Sequence, residues 1–253
     1  MSDQQETFLS HLVELRDRLL RCVIVVGIAF VCLMPWSANI YDFLAAPMMN
    51  TLPEGTRMIA TGVVTPFFVP IKVTLLVAFI GSLPFVLYQL WAFVAPGLYV
   101  HEKRFALPLV VASSLLFLAG MAFCYFLVFG TVFKFIASVA PKSITPAPDI
   151  EQYLAFVMTM FLAFGVTFEV PVVVLVLVKA GLVSVAKLRE VRSYVIVGAF
   201  VIAAVVTPPD VTSQIMLAIP MCVLYEIGLL LARLVEKSAP AEDAPEMGED
   251  SGK

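Results

Sequence analysis

The sequence predicts an all-α membrane protein with six transmembrane helices and both termini in the cytoplasm. Three observations predict this class. Of the 253 residues, 61% are hydrophobic and only 14% are charged, against about 45–50% and about 25% in soluble domains. Apolar runs long enough to cross a bilayer recur along the whole chain, which a signal peptide does not explain. Lysine and arginine are concentrated in alternate polar segments, as the positive-inside rule describes.

The predicted spans lie at about residues 19–38, 71–93, 107–130, 153–178, 194–206 and 213–232. Pro84 is expected to kink the second span, because proline removes a helix hydrogen bond. The fifth span has about thirteen residues before "TPPD", or roughly 20 Å of helix against a hydrocarbon core of about 30 Å. The fifth and sixth helices are therefore expected to be a short pair that thins the bilayer or is covered by partner proteins. A re-entrant hairpin is the alternative, and it gives an odd number of crossings.

Charge counting favours six crossings. With the N-terminus inside, twelve lysines and arginines fall on the cytoplasmic side and four on the other, namely Arg57, Lys72, Lys134 and Lys142. This asymmetry places both termini in the cytoplasm. The two outer loops, residues 39–70 and 131–152, are rich in proline and are expected to form ordered caps.

The chain is expected to form one transmembrane domain, residues 1–235, followed by a disordered acidic cytoplasmic tail, residues 236–253. The four cysteines lie in or beside apolar spans without a close pair, and the two histidines are far apart, so neither a metal nor a cofactor is expected. Enzyme motifs such as GxSxG, HExxH and GxxxxGK are missing, which argues against catalysis. No nucleic-acid partner is expected.

Glu169 lies inside the fourth predicted span, in "GVTFEVPVVV". An ionisable residue there costs about 2.5–3.5 kcal/mol on insertion scales, so a functional or polar environment is expected. Pro171 leaves a backbone carbonyl of the preceding turn unpaired, which favours a polar partner nearby. Glu169 therefore serves binding, partner contact or proton movement, or else a protonated carboxyl pins the packing of the helices.

The segment "HLVELRDRLLR" places leucines along one helical face and pairs Glu14 with Arg18 at i,i+4. It is expected to lie at the membrane interface as an anchor that sets the topology. Glu14 stands among positive-inside residues, and Glu102 lies in "YVHEKRF". Two acids at one cytoplasmic interface would form a receptor for a dibasic ligand, whereas a solvated loop of mixed charge is the alternative for Glu102.

Five segments resemble the successive signature motifs of the TatC family, the six-span receptor subunit of the twin-arginine protein translocase: "SHLVELRDRL", "MIATGVVTPFFVPIKV", "LYQLWAFVAPGLYVHEKR", "AFGVTFEVPV" and "TPPDVTSQIMLAIPM". The resemblance runs in order from about residue 8 to 235. It implies a non-enzymatic, multi-pass protein of the bacterial cytoplasmic (inner) membrane. Such a protein takes part in exporting folded proteins, with energy from the proton-motive force.

The resemblance also implies roles for particular residues. The implied signal-peptide-binding residues are Glu14, Glu102, Phe93, Arg16 and Pro47. Glu169 matches an intramembrane acid that faces a concave groove, and Thr207, Asp210 and Gln214 fall in the hairpin where the single-span partners TatA and TatB dock. Membrane lipid and further copies of the chain in the receptor complex are the other implied partners. Gly62 stands where related chains often carry an acid, so that acid's contact is not carried over.

Two other functions remain open from the residues alone. One is a proton-coupled small-solute transporter that uses Glu169 as its relay, and the other is an assembly scaffold with no substrate of its own. A transporter should bind solute without partner subunits, whereas a receptor should crosslink to a dibasic signal peptide. A carboxylate pocket favours arginine over lysine because a guanidinium can bind a carboxylate through two hydrogen bonds.

Overall fold

The structure, a computed structural model, describes residues 2–51, 57–94, 103–139, 141, 147–207 and 210–238. The helices in these ranges are α1 (Ser2–Leu33), α2 (Ser37–Met49), α3 (Thr65–Gly81), α4 (Leu83–Val94), α5 (Lys103–Phe123), α6 (Phe129–Val139), α7 (Ile150–Phe168), α8 (Val170–Lys179), α9 (Val185–Glu190), α10 (Arg192–Val206) and α11 (Val211–Ser238). Four helical segments of the described chain are long and apolar enough to cross a membrane, or five if the bent pair α3 and α4 is one span. The described part is thus an all-helical bundle with several candidate membrane crossings.

Helix α1 joins the amphipathic N-terminal segment to the first predicted span. The two form one continuous helix, and the interfacial position of the amphipathic segment stays a prediction. No glycine or proline occurs between residues 11 and 26, so nothing ends the helix there. The helix ends only at a 3₁₀ turn, Met34–Trp36, which contains a proline. Helix α1 packs against α3 and α4, and none of its side chains from His11 to Leu33 is buried.

The second predicted span is broken into α3 and α4, which are bent by 60°. The break falls at Ser82, and Pro84 occupies the second position of α4. A proline there has no N–H to donate and excludes the carbonyl of the residue four positions earlier. The kink predicted from Pro84 is confirmed. As a consequence, α4 runs in a different direction from α3 and brings its own side chains towards α1 and α5.

Helix α7 is the centre of the bundle. Val157, Met160 and Phe164 are fully buried in the main apolar core. Helices α5 and α7 approach closely, because a Cβ at Gly165 would collide with the ring of Phe117. Glu169 forms the break between α7 and α8, with a proline in the first turn of α8. The fourth predicted span is therefore a broken helix. The break lies at Glu169, the one carboxylate within its apolar stretch.

Helices α10 and α11 form the predicted hairpin, but only one of them is short. Helix α10 has 15 residues, or about 22 Å at 1.5 Å per residue. Helix α11 has 28 residues, so the expectation of a short sixth helix was wrong. The helix accommodates Pro220 and continues through polar residues to Ser238, because no breaker precedes the sequence "SAP". Residues 236–238 of the predicted tail therefore belong to α11, and 239–253 lie outside the described residues.

The two predicted outer loops are joined by hydrogen bonds centred on Asp149. The Ile59 N–H donates to the Pro148 carbonyl at 3.0 Å, and the Ile150 N–H donates to the Ile59 carbonyl at 2.9 Å. Asp149 Oδ1 accepts from the first turn of α7, while Oδ2 accepts from the Thr61 hydroxyl at 2.7 Å and from its N–H at 3.0 Å. These bonds, the Thr61 hydroxyl first among them, lower the pKa of Asp149 from 3.8 to about 2. We call this arrangement the outer junction.

Candidate functional site

Five side chains from α1 and α4, four of them polar, form a group near the N-terminal end of α1. We call this group the α1–α4 cluster. His11, Glu14 and Arg18 lie on one face of α1, because residues spaced by three or four positions share a helix face. Gln89 and Phe93 are four positions apart on α4 and face them. The bend at Ser82 and Pro84 is what aims α4 at this face of α1.

Glu14 is at the centre of this cluster. Its Oε1 accepts from Arg18 Nη2 at 2.7 Å and from Arg18 Nε at 2.9 Å. The third nitrogen of Arg18, Nη1, donates to Gln89 Oε1 at 3.0 Å. The ring of His11 stacks on Phe93 with centroids 4.3 Å apart, and His11 Nδ1 lies 4.0 Å from Glu14 Oε2.

An open depression of about 360 Å³ lies beside the cluster. It is lined by Val13, Glu14, Asp17, Arg18 and Arg21. The Glu14 side chain is 45% exposed, so its carboxylate is accessible from this depression. The arrangement therefore offers a carboxylate that already binds one guanidinium and has a second oxygen next to an aromatic ring.

The other predicted signal-peptide residues are not part of this cluster in the described structure. Arg16 lies on a different face of α1, where its guanidinium binds Asp17 at 2.8 Å. Pro47 lies within α2, beyond the C-terminal end of α1, which is about 28 Å from Glu14 at 1.5 Å per residue. Glu102 lies outside the described residues, immediately before α5 begins.

A second polar group lies among α4, α5 and the break after α7. Trp91 Nε1 donates to Ser113 Oγ at 2.8 Å, and the Ser113 hydroxyl donates to Glu169 Oε2 through a short hydrogen bond. Glu169 is only 8% exposed. Its Oε1 is buried and receives no hydrogen bond from the part of the chain that the structure describes. The carboxyl therefore has one oxygen fixed by the bundle and one buried oxygen without a donor among the described residues.

Sequence reasoning missed Trp91 and Ser113. A signal was present, because a serine pair in the third span and a tryptophan in the second are polar donors inside apolar runs. Glu226 in the sixth span was also missed, although it is ionisable like Glu169. Glu226 binds Arg192 at 2.5 Å and joins α11 to the start of α10.

Thr207, Asp210 and Gln214 lie together in the turn between α10 and α11. Asp210 Oδ2 accepts from the Ser213 N–H at 2.6 Å and caps α11. Gln214 Nε2 donates to the Phe200 carbonyl at 3.2 Å, and the Thr207 hydroxyl donates to the Ala203 carbonyl at 2.8 Å. These side chains hold the hairpin in shape.

The fold and these polar groups define a multi-pass α-helical membrane protein that presents an accessible carboxylate at one end and a buried carboxyl within its bundle. Residues 10–220 match a family model described as Sec-independent protein translocase protein (TatC). The chain is 52% identical to a Haemophilus influenzae protein of that name over 92% of this chain and 91% of the relative. It is 51% identical to the Escherichia coli K12 protein over 91% and 90%. The chain belongs to the TatC family.

The same conclusion follows from a solved structure. A crystal structure of the twin arginine translocase receptor TatC is 39% identical to this chain, with a TM-score of 0.78. It is matched over 89% of this chain and 99% of that one. The protein is therefore a component of the twin-arginine translocase, a protein-transport system, in the bacterial inner membrane.

Proposed function

We propose that this chain binds twin-arginine signal peptides of folded cargo through Glu14 and Glu102, with Phe93 beside them, and forms the core of the translocase. The observation that supports this most is the carboxylate of Glu14, which binds the guanidinium of Arg18 and keeps Oε2 beside the His11–Phe93 stack. The site thus suits a guanidinium in shape and charge. Arg16 and Pro47 would act outside this contact, through the shape of α1 and α2.

The interaction energies at such a site are large enough to select arginine over lysine. An exposed ion pair contributes about 0–1 kcal/mol. Hydrogen bonds to charged groups that are partly desolvated contribute about 1.5–3 kcal/mol, and two such contacts with guanidinium geometry distinguish arginine from lysine. The apolar part of the signal peptide would supply the remaining affinity by burial near Glu169, whose buried Oε1 lacks a donor among the described residues.

The hairpin is proposed as the docking surface for the single-span partners TatA and TatB. Val197, Val201 and Val205 are spaced by four along α10 and are strongly exposed, Val205 at 81%. Thr207, Asp210 and Gln214 would hold this face in place beside the partner. Further copies of the chain and membrane lipid would cover other apolar faces. No residue has a catalytic role in this proposal, and the proton-motive force would supply the energy for transport.

The test is site-specific photocrosslinking. A photoreactive residue at position 93 or 102 should crosslink to a twin-arginine peptide and much less to a twin-lysine peptide. A photoreactive residue at Phe126, which is 77% exposed and lies more than two helical turns beyond Ser113 along the third span, is the matched control. Equal crosslinking from all three positions would refute the proposed site.

We further propose six crossings with both termini in the cytoplasm. The twelve-to-four distribution of basic residues supports this topology. A reporter that is active only in the cytoplasm should be active when it is fused after Lys237, near the end of α11. A periplasm-dependent reporter at the same position serves as the control. Activity of the periplasmic reporter alone would mean that the C-terminus is outside and that the count of crossings is odd.

A further inference from the structure

The orientation of α1 depends on few contacts at its N-terminal end. Between His11 and Leu33, where every side chain is described, none is buried. No fully buried side chain in this range therefore fixes the rotation of the helix. Among the described side chains, a stack of His11 on Phe93 and a hydrogen bond from Arg18 to Gln89 join this part of α1 to α4.

These contacts lie on either side of Glu14. His11 and Arg18 are seven positions apart, or about two helical turns, and Glu14 lies between them on the same face. The first contact is apolar and stacked. The second is directional, because Gln89 is only 5% exposed and offers its amide oxygen to one nitrogen of Arg18.

We propose that Gln89 is a positioning residue of the twin-arginine site. By accepting from Arg18 Nη1, it holds the guanidinium so that Nε and Nη2 both meet the single oxygen Oε1 of Glu14. The other oxygen, Oε2, is thereby left for an arginine of the cargo. This inference rests on the proposed function of Glu14.

The reason lies in the geometry of guanidinium and carboxylate. A free guanidinium prefers to bind a carboxylate with two parallel hydrogen bonds, one to each oxygen. Arg18 adopts a one-oxygen geometry, and its third nitrogen is directed at Gln89. Without Gln89, Arg18 would turn onto both oxygens of Glu14 and compete with the cargo arginine for the same carboxylate.

The decisive variant is Gln89→Leu, which removes the acceptor. Crosslinking of a twin-arginine peptide to position 93 should fall about tenfold or more, the fold-change that corresponds to the loss of one hydrogen bond to a charged group. Crosslinking of a twin-lysine peptide should fall less, because a guanidinium can place two N–H groups on Oε2 whereas an ammonium donates from a single nitrogen. The preference for arginine should therefore shrink.

Three further variants separate positioning from a general structural effect. Gln89→Glu keeps an acceptor for Arg18 and should keep the preference for arginine. Adding Arg18→Gln to Gln89→Leu removes the internal competitor and should restore much of the twin-arginine crosslinking. Tyr88→Leu, on an exposed face of the same helix, should change neither signal. Gln89→Met, which keeps the length of the side chain, replaces Gln89→Leu if the latter does not insert.

The outcomes distinguish this inference from the proposed function. If the unmodified chain shows no preference for arginine, the proposed function fails and the inference fails with it. If the unmodified chain shows the preference and Gln89→Leu keeps it in full, only the positioning role of Gln89 is overturned. A further loss in the Gln89→Leu, Arg18→Gln double variant would likewise overturn it, because a role in stability alone predicts that result.

Discussion

Glu14→Lys is expected to reduce crosslinking of a twin-arginine signal peptide at position 93 by more than tenfold. The substitution removes the carboxylate and places an ammonium beside Arg18, whose guanidinium loses its partner at 2.7 Å. Attraction of the cargo arginines becomes repulsion at short range. Glu102→Lys is expected to give a similar loss, because Lys103 and Arg104 follow it directly in the sequence. The measurement is peptide crosslinking in membranes, with export of a folded reporter in parallel.

The control for this experiment is Glu190→Lys, which reverses an exposed acid that pairs with Lys187 on α9. It should leave crosslinking unchanged. A double-mutant cycle adds a stricter criterion: replacing the cargo arginines by lysines should cost little further on a Glu14→Gln background, because the carboxylate that the guanidinium would bind is already gone. Fully additive losses would mean that Glu14 and the cargo arginines do not meet.

Glu169→Leu is expected to reduce export of a folded reporter about tenfold or more, whereas Glu169→Gln should retain much of it. Glutamine still accepts from Ser113 and offers a polar group at the position of Oε1. Leucine leaves the Ser113 hydroxyl buried without its acceptor, at a cost of about 1–3 kcal/mol. It also removes the buried Oε1, which has no donor among the described residues and would accept one from a partner or signal peptide.

The pair of variants also tests the transporter alternative. An obligate proton relay at Glu169 requires a titratable group, so Glu169→Gln would then lose nearly all activity. Val166→Leu, at an exposed position of α7 one turn earlier, is the control for changes in this helix. Both Glu169 variants should still insert and copurify with the single-span partners.

The sequence located the long apolar helices because crossing a bilayer demands a minimum length of apolar chain. It also predicted the kink at Pro84, whereas the break at Glu169, before Pro171, was not predicted. The length of α11 was misjudged, because hydropathy ends where the polar residues begin whereas the helix continues to Ser238. A helix end depends on caps and breakers, not on the polarity of its side chains.

The side-chain contacts of the site could not be predicted from the sequence, for a different reason. Gln89 meets Arg18 across 71 positions, and Ser113 meets Glu169 across 56. The first contact depends on the 60° bend between α3 and α4 and on how α4 is rotated, and the second depends on how α5 packs against the break after α7. A proline predicts that a helix bends but not the direction in which it bends. The residue types of the site were thus visible in the sequence, while their partners were not.

The hydrogen bonds of the outer junction keep Asp149 ionised in mild acid. The pKa of Asp149 is lowered from 3.8 to about 2, so its contribution to stability is complete above pH of about 4 and is lost only as pH falls through about 2. In the proposed topology, this junction faces the compartment that supplies protons to the proton-motive force. Acidification of that compartment by one or two pH units would strengthen the driving force without protonating Asp149. The hydrogen bonds that Asp149 accepts from Thr61 and from the first turn of α7 would therefore persist at the acidic pH that favours transport.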